Sequence, residues 1–421
     1  MQNKCLALSF VLTLIGGTAL AQEVPQSLSD CLELALKNNV NFLASQESVH
    51  VKDAQKSVAQ RKLLPSLSLS SSAYRTVENT NFSGARIDAQ SNALTLAQPL
   101  YRGRALWAGM QSAGLDFESA KLGLAREEHK LIRDVKQLWY SLLGKQMLQK
   151  NAEQSLERLK EHAKNTTHFF AEGRIWRNDV LQAEVEVARG EQNLILARNQ
   201  VILTKARLNQ LLHRDIEAVI ASEDVLAWQE HTSTYDDALA FALENRPDLK
   251  RFVLSVQMQG YGETIASAGL QPQLALQASY NLASSDFDIY AKTSQVLVSL
   301  NWNLWEWGNT LKSMEIARST TKQAKYQLEA AKLQVKVDVQ KAWLGVQESA
   351  KRVEVLKKAV TQAQENYRVS GVRYREELGS ANDVLIAQGL ATQTQGDYIS
   401  ALSSYLTALA DLDLATGQEW K

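Results

Sequence analysis

The chain is written twice. Leu32, Ala35, Leu36 and Asn38 recur as Leu239, Ala242, Leu243 and Asn245, and Pro65-Ser-Leu-Ser-Leu recurs as Pro272-Gln-Leu-Ala-Leu. Leu100-Tyr101 answers Leu304-Trp305, and Val135 and Trp139 answer Val339 and Trp343. Asn178-Asp179-Val180-Leu181 returns as Asn382-Asp383-Val384-Leu385. The blocks keep one order at an offset of 204 to 207 residues. Two units of this length are a tandem duplication, not a solenoid. Whatever one half folds into, the other must repeat, and the two must fit together.

Each half reads as the same series. A short helix (28–38, then 235–245) precedes a second helix (about 41–63 and 248–269), two strand-like runs, a very long helix (about 103–166 and 308–373) and a last helix (about 176–212 and 381–415). The chain has only five prolines, and none falls inside a long helix, where proline would break the backbone ladder. A helix over 103–166 would be about 64 residues and ~96 Å long at 1.5 Å per residue. The two shorter helices of each half, stacked end to end, match that length. The expectation is antiparallel pairs close to ~100 Å long, with strands at one end and a tight turn at the other. In the last helices Val180, Val187, Leu194, Val201 and Leu208 repeat every seven residues. So do Val384, Ala391, Tyr398, Tyr405 and Leu412. A row of small residues runs beside each: Ala183, Gly190, Ala197 and Thr204; Ala387, Thr394, Ala401, Ala408 and Ala415. This is coiled-coil patterning with close backbone approach. A further stripe, Leu181, Ala188, Ile195 and Ile202, widens the apolar face toward a second neighbour.

Four runs alternate with period two. In 272–282, Leu274, Leu276, Ala278, Tyr280 and Leu282 oppose Gln273, Ala275, Gln277, Ser279 and Asn281. In 295–304, Val296, Val298, Leu300, Trp302 and Leu304 share a side. The run 66–74 sets Leu67 and Leu69 against serines, and 92–100 groups Leu94, Leu96 and Leu100, with Gln98 the exception. Each is near the 9–11 residues that cross a bilayer as a tilted strand. Tyr74, Tyr101, Tyr280, Trp302, Trp305 and Trp307 gather at run ends, where Tyr and Trp suit a membrane interface. Four strands cannot close a barrel, and open edges are not tolerated in hydrocarbon. Strands from several chains must therefore pool, three or more copies suiting a channel better than two. The connections 79–86 and 286–291 read as short polar loops.

Residues 1–21 read as a signal peptide: Lys4, the apolar run Cys5 to Ile15, then Ala19-Leu20-Ala21. Cys31 is then the lone cysteine, and Ser29-Asp30 before it is no lipobox. The chain carries 46 basic and 46 acidic residues, so removing Lys4 leaves a net charge of −1. No cationic excess exists for nucleic acid. The six histidines are scattered without metal-binding spacing, no phosphate loop or serine elbow occurs, and nothing nominates a catalytic nucleophile. No cofactor, metal or enzymatic activity is expected.

With these blocks in order, residues 28–415 resemble the TolC-type outer-membrane efflux family. The resemblance rests on the doubled helix–strand–strand–helix–helix series and the short helices Ala35-Leu36-Lys37-Asn38 and Ala242-Leu243-Glu244-Asn245. It rests also on the strand entries at Pro65 and Pro272, and on Gln98-Pro99-Leu100-Tyr101. It implies a mostly α fold with a small β part. Residues 22–215 and 216–421 would be two structural repeats. The strands (65–101 and 271–305) would join a twelve-stranded barrel shared by a homotrimer in outer-membrane lipid. The hairpins (103–212 and 308–415) would form a periplasmic α-barrel. The resemblance implies a passive exit duct of a tripartite efflux or type I secretion system, working with a periplasmic adaptor and an inner-membrane pump. The alternative is a soluble periplasmic coiled-coil scaffold.

By the same resemblance the aperture lies at the helix–helix turns, Phe169 to Asn178 and Arg373 to Asn382. Tyr374 and Asp179 match a latch that holds the end shut, and Asp383 matches the narrowest ring. Gly173, Asn178, Gly379 and Asn382 mark the tips that would meet the adaptor. The sequence departs from the family where a latch arginine becomes Gly379 and a second ring aspartate becomes Ile386. Three Asp383 carboxylates brought together would raise one another's pKa and favour a cation. The bland alternative is that Asn178-Asp179 and Asn382-Asp383 cap their helices.

Overall fold

A computed structural model describes residues 27–418 apart from 78–85, 223, 286–287 and 377. The signal-peptide reading and the loop tips at 79–85 and 286–287 lie outside the described residues. The first half runs α1 (Leu28–Asn38), α2 (Val40–Arg61), β1 (Ser66–Val77), β2 (Arg86–Arg102), α3 (Ala105–Ala171) and α4 (Arg177–Leu211). The second runs α5 (Tyr235–Asn245), α6 (Pro247–Ser267), a 3₁₀ turn at Ala268–Leu270, β3 (Gln273–Ser285), β4 (Asp288–Asn301), α7 (Asn309–Arg375) and α8 (Ala381–Thr416). Among the described residues, no helix is long and apolar enough to cross a membrane.

The repeat extends to local chemistry. The Ser27 side chain accepts from the backbone of Asp30, and Thr234 from that of Asp237, so both halves begin on a capped helix. α3 and α7 each have 67 residues, about 100 Å at 1.5 Å per residue. α2 and α4, of 22 and 35 residues, both lie along α3. α6 and α8 lie along α7, which completes the expected hairpins. The heptad rows form these seams: Ala183, Gly190, Leu194, Val201, Thr204 and Leu208 are buried in α4. A Cβ on Gly190 would stand 3.0 Å from Leu159 Cδ1, so the small row sets the helix spacing there. The outer stripe, Leu181, Ile195 and Ile202, stays exposed in the single chain. Where the halves meet, Trp139, Tyr405, Leu142, Leu208 and Leu32 form a core. Trp228 stacks on Tyr405, and Trp139 donates to Asp224 at 3.2 Å.

The strands form one antiparallel sheet in the order β1-β2-β3-β4, with β2 and β3 joining the halves. The register aligns Leu67, Leu96, Ala278 and Val296 across all four strands, and Leu69, Leu94 and Tyr280 in the next rows. The opposite face carries Ser68, Thr95, Ser279 and Gln295. A bulge between Pro99 and Tyr101 puts Tyr101 opposite Leu274, on the apolar face. Gln98, the polar exception, donates to the Leu63 carbonyl at 2.9 Å and ties down the entry to β1.

Two strand limits differ from the sequence expectation. β4 stops at Asn301 rather than 304, because Trp302 donates to the Leu270 carbonyl and Asn303 to Glu306, turning the chain out of the ladder. β2 and β4 begin at Arg86 and Asp288, so residues 86 and 288–291, read as loop, are strand. Each strand-to-helix junction has two successive left-handed residues, Gly103-Arg104 and Trp307-Gly308. One of each pair is a glycine, the residue this backbone favours. A Cβ on Gly103 would also meet Ala268 at 2.8 Å, so the junction closes directly against the 3₁₀ turn.

Candidate functional site

The site is the end of the hairpins farthest from the sheet. α3 ends in a Schellman turn, with Arg174 N–H bonding the Phe169 carbonyl at 2.9 Å and Gly173 left-handed at φ 74°. The Arg174 guanidinium lies over Phe169, 4.5 Å from its centroid, and bonds Glu172. The other hairpin turns where Leu378 N–H bonds the Arg373 carbonyl at 2.8 Å, and Gly379 packs on Arg373. Trp176 and Leu378 stand out from the two tips, 83% and 71% exposed.

The capping expectation is corrected here. The N-cap of α4 is Trp176, which has no side-chain bond, so Asn178 and Asp179 lie inside the first turn. The N-cap of α8 is Ser380. Asp383 closes a capping box with it: Asp383 N–H donates to Ser380 Oγ at 3.1 Å, and Ser380 N–H to Asp383 Oδ2 at 3.0 Å. The backbone N–H of Ser380, then its hydroxyl, hold the Asp383 carboxyl below the usual carboxylate range. The cap thus opposes the mutual repulsion expected in a ring and keeps the exposed carboxylate charged at neutral pH.

Tyr374 does not bond Asp179. It sits in the last turn of α7, its ring 5.7 Å from those of His162 and Phe169 on α3. Its hydroxyl is buried without a well-formed hydrogen bond. Burial raises the phenol's pKa, Thr166 opposes that, and the Asp179 carboxylate adds to it. At the tip the hairpins are joined by Gln182 Nε2 donating to Asn382 Oδ1 at 2.8 Å, from the second turn of α4 to the first turn of α8. Sequence reading named Asn382 but missed Gln182, Ser380 and His162. Ser380-x-x-Asp383 could have been found as a capping-box pattern.

At the sheet end, Trp302, Trp305 and Trp307 are exposed just beyond β4, the last two edge to face with centroids 5.8 Å apart. Tyr101 donates to Gln271. Tyr280 lies farther up β3, opposite Leu94 and Ser294. Tyr74 pairs with Ala89 in the ladder, and its side chain lies outside the described residues. Cys31 is fully buried in α1, its thiol pushed up to about 12 by burial, so it is an inert packing residue.

The sequence matches the family described as outer membrane efflux protein in two pieces, residues 31–213 and 238–418. The chain belongs to that family. This efflux protein is similar to outer membrane efflux protein BepC of Brucella suis biovar 1, 21% identical over 426 residues, 96% of this chain and 90% of the relative. Its fold is that of the Campylobacter jejuni CmeC outer membrane channel, with TM-score 0.82, 17% identity and coverage of 99% and 94% of the two chains. The Neisseria gonorrhoeae MtrE outer membrane channel, solved in an open state, gives TM-score 0.79 at 18% identity, covering 93% of this chain and 88% of that one. It is an outer-membrane efflux channel, with a long helical periplasmic part below its strands. The family and these structural relatives are channels, not enzymes.

Proposed function

We propose that three copies of this chain close their strands into one twelve-stranded barrel and their hairpins into one tunnel, making a passive duct out of the periplasm. One observation carries the reading: a four-stranded sheet with an exposed apolar face and two free edges, β1 and β4, of 12 and 14 residues. In hydrocarbon every unpaired backbone group costs several kcal/mol, so a lone sheet cannot stay there. The β2–β3 seam shows how first-half and second-half strands pair, and β4 against β1 of a neighbour repeats that arrangement. The exposed stripe Leu181, Ile195 and Ile202 gives the helices a matching reason to pack on another copy.

In this assembly Asp383 recurs three times around the periplasmic aperture, with Gln182–Asn382 closing it and Tyr374 and Asp179 behind. The tips, Gly173, Asn178, Gly379 and Asn382, face the periplasmic adaptor of a tripartite system with an inner-membrane pump. Tyr74, Tyr101, Tyr280, Trp302, Trp305 and Trp307 serve the lipid interface. Crosslinking after membrane fractionation tests the assembly: a detergent-dependent trimer in the outer membrane is expected, and a soluble monomer or dimer rejects it. Single-channel recording tests the ring. Asp383→Ala should lower cation preference several-fold, since three fixed charges leave one constriction. Unchanged conductance and selectivity would remove Asp383 from the gate.

A further inference from the structure

His162 is the one buried imidazole of the tip. It is 8% exposed on α3, and its Nε2 has no hydrogen-bond partner. Beside it, 5.7 Å away ring to ring, is Tyr374, whose hydroxyl has no well-formed bond. A buried imidazole nitrogen with no partner is unusual, since buried polar atoms are nearly always satisfied, whereas the Tyr374 hydroxyl has at best a poorly aligned contact with Thr166. The pair is chemically matched. A neutral imidazole offers one nitrogen lone pair as an acceptor, which a phenol hydroxyl can use; an imidazolium offers none. The Thr166 hydroxyl, buried in the next turn, is committed to the His162 carbonyl at 2.8 Å and does not serve the ring.

Among the described residues no ion pair to His162 forms; the Asp179 carboxylate acts on Tyr374, while the imidazole itself is shifted by burial alone. The charged groups on adjoining turns are Glu161, Lys164 and Glu172 on or just after α3, with Arg174. On α4 they are Asp179, Glu184 and Glu186, on α7 Arg373 and Arg375, and on α8 Asp383. Glu172 and Arg174 bond each other, Glu186 bonds Arg189, Asp383 bonds Ser380, and Arg373 donates to the Leu378 carbonyl. His162 itself is shifted only by burial, which lowers its pKa and favours the neutral ring. The sign follows. At pH 7 the packing of α7 on α3 is undisturbed; as pH falls below the ordinary histidine range, the site must accept an unpaired charge or open.

We propose that His162 is the positioning residue that holds Tyr374, and with it the tip of α7, in the closed aperture, and that acidification of the periplasm releases this hold. The proposal rests on the duct reading above. It makes the aperture of this chain proton-responsive through a group outside the carboxylate ring.

Purified channel in planar bilayers, recorded from pH 7.5 to 5.0, tests it. Wild type should show mean conductance rising at least threefold over that range. His162→Phe, which keeps an aromatic ring but cannot protonate, should stay flat and low. His162→Gln, a second non-titrating variant, should be flat as well, with detergent-stable trimer on gels reporting that each variant folds. A flat wild-type profile, or one that both variants reproduce, overturns the role of His162 while leaving the duct intact. Failure of wild type to form pores at any pH overturns the duct reading and this inference with it.

Discussion

Val296→Arg should abolish assembly in the outer membrane, whereas Gln295→Arg, one residue away, should leave it near wild type. Val296 is 75% exposed and lies in the apolar row with Leu67, Leu96 and Ala278. Ala278 is five residues beyond Gln273, the start of β3. That is ~17 Å along a strand, or ~13 Å of depth at a tilt near 40°, the middle of a ~25 Å apolar band. Arginine at that depth costs about 2–4 kcal/mol per site, and three copies place about 6–12 kcal/mol on one trimer. Gln295 opposes Ser279 on the polar face, where a cation stays in water. The readout is heat-modifiable trimer in outer-membrane fractions. Equal yields from both variants would mean that the sheet presents neither face to lipid.

Arg246→Ala should destabilise the helical part by about 2–3 kcal/mol, less than the ~3–5 kcal/mol of breaking a fully buried pair, because Asp248 and Asp338 are about a third exposed and water screens the charge left behind. Arg246 is 4% exposed at the joint between α5 and α6. Its guanidinium bonds Asp248 twice, at 3.0 and 2.6 Å, Asp338 at 3.1 Å, and the Ala415 carbonyl at 3.3 Å. One side chain thus fastens the α5–α6 corner, α7 and the end of α8. Gly417, left-handed beside it, has no room for a Cβ without pressing on the Arg246 backbone at 3.2 Å. Burial alone would raise the Asp248 pKa, but the bonds from Arg246 outweigh it and hold the carboxyl below its ordinary value. A lowered carboxylate contributes stability above its unfolded pKa and loses it as pH falls through the folded one. Wild type should therefore lose part of its margin on acidification below ~4, and Arg246→Ala should lack that component. Thermal unfolding in detergent at pH 7 and pH 3.5 separates the two. Arg246→Lys should recover little, because an ammonium cannot reproduce the two-point bond.

Much of this architecture was legible because its determinants are periodic. α1 and α5 end where Asn38 and Asn245 stop the apolar pattern, and the heptads of α4 and α8 located both seams. Alternation misled where it outlasted the ladder: Leu304 kept the pattern, yet the side-chain bonds of Trp302 and Asn303 had already ended β4. The aperture was half readable. The two turns follow from the breaks near Gly173 and Gly379, whereas reading them as an aperture, and Asp383 as its ring, came from the family resemblance alone. Its bonds were not readable, since Gln182 and Asn382 are 200 residues apart, and His162 meets Tyr374 across two helices. No local pattern encodes such pairs. Arg246 makes the same point: Asn245-Arg246-Pro247 announced a break, but not the clamp built on it.

The seam between β2 and β3 has a bearing on ancestry. If each half once stood alone as a two-stranded subunit, six of them would have been needed to complete the same circle. Joining two genes end to end halves the number of encounters required. In the trimer proposed above it would also let odd and even positions diverge; the two tips of this chain already differ, one entering its helix on Ser380, the other on an uncapped tryptophan.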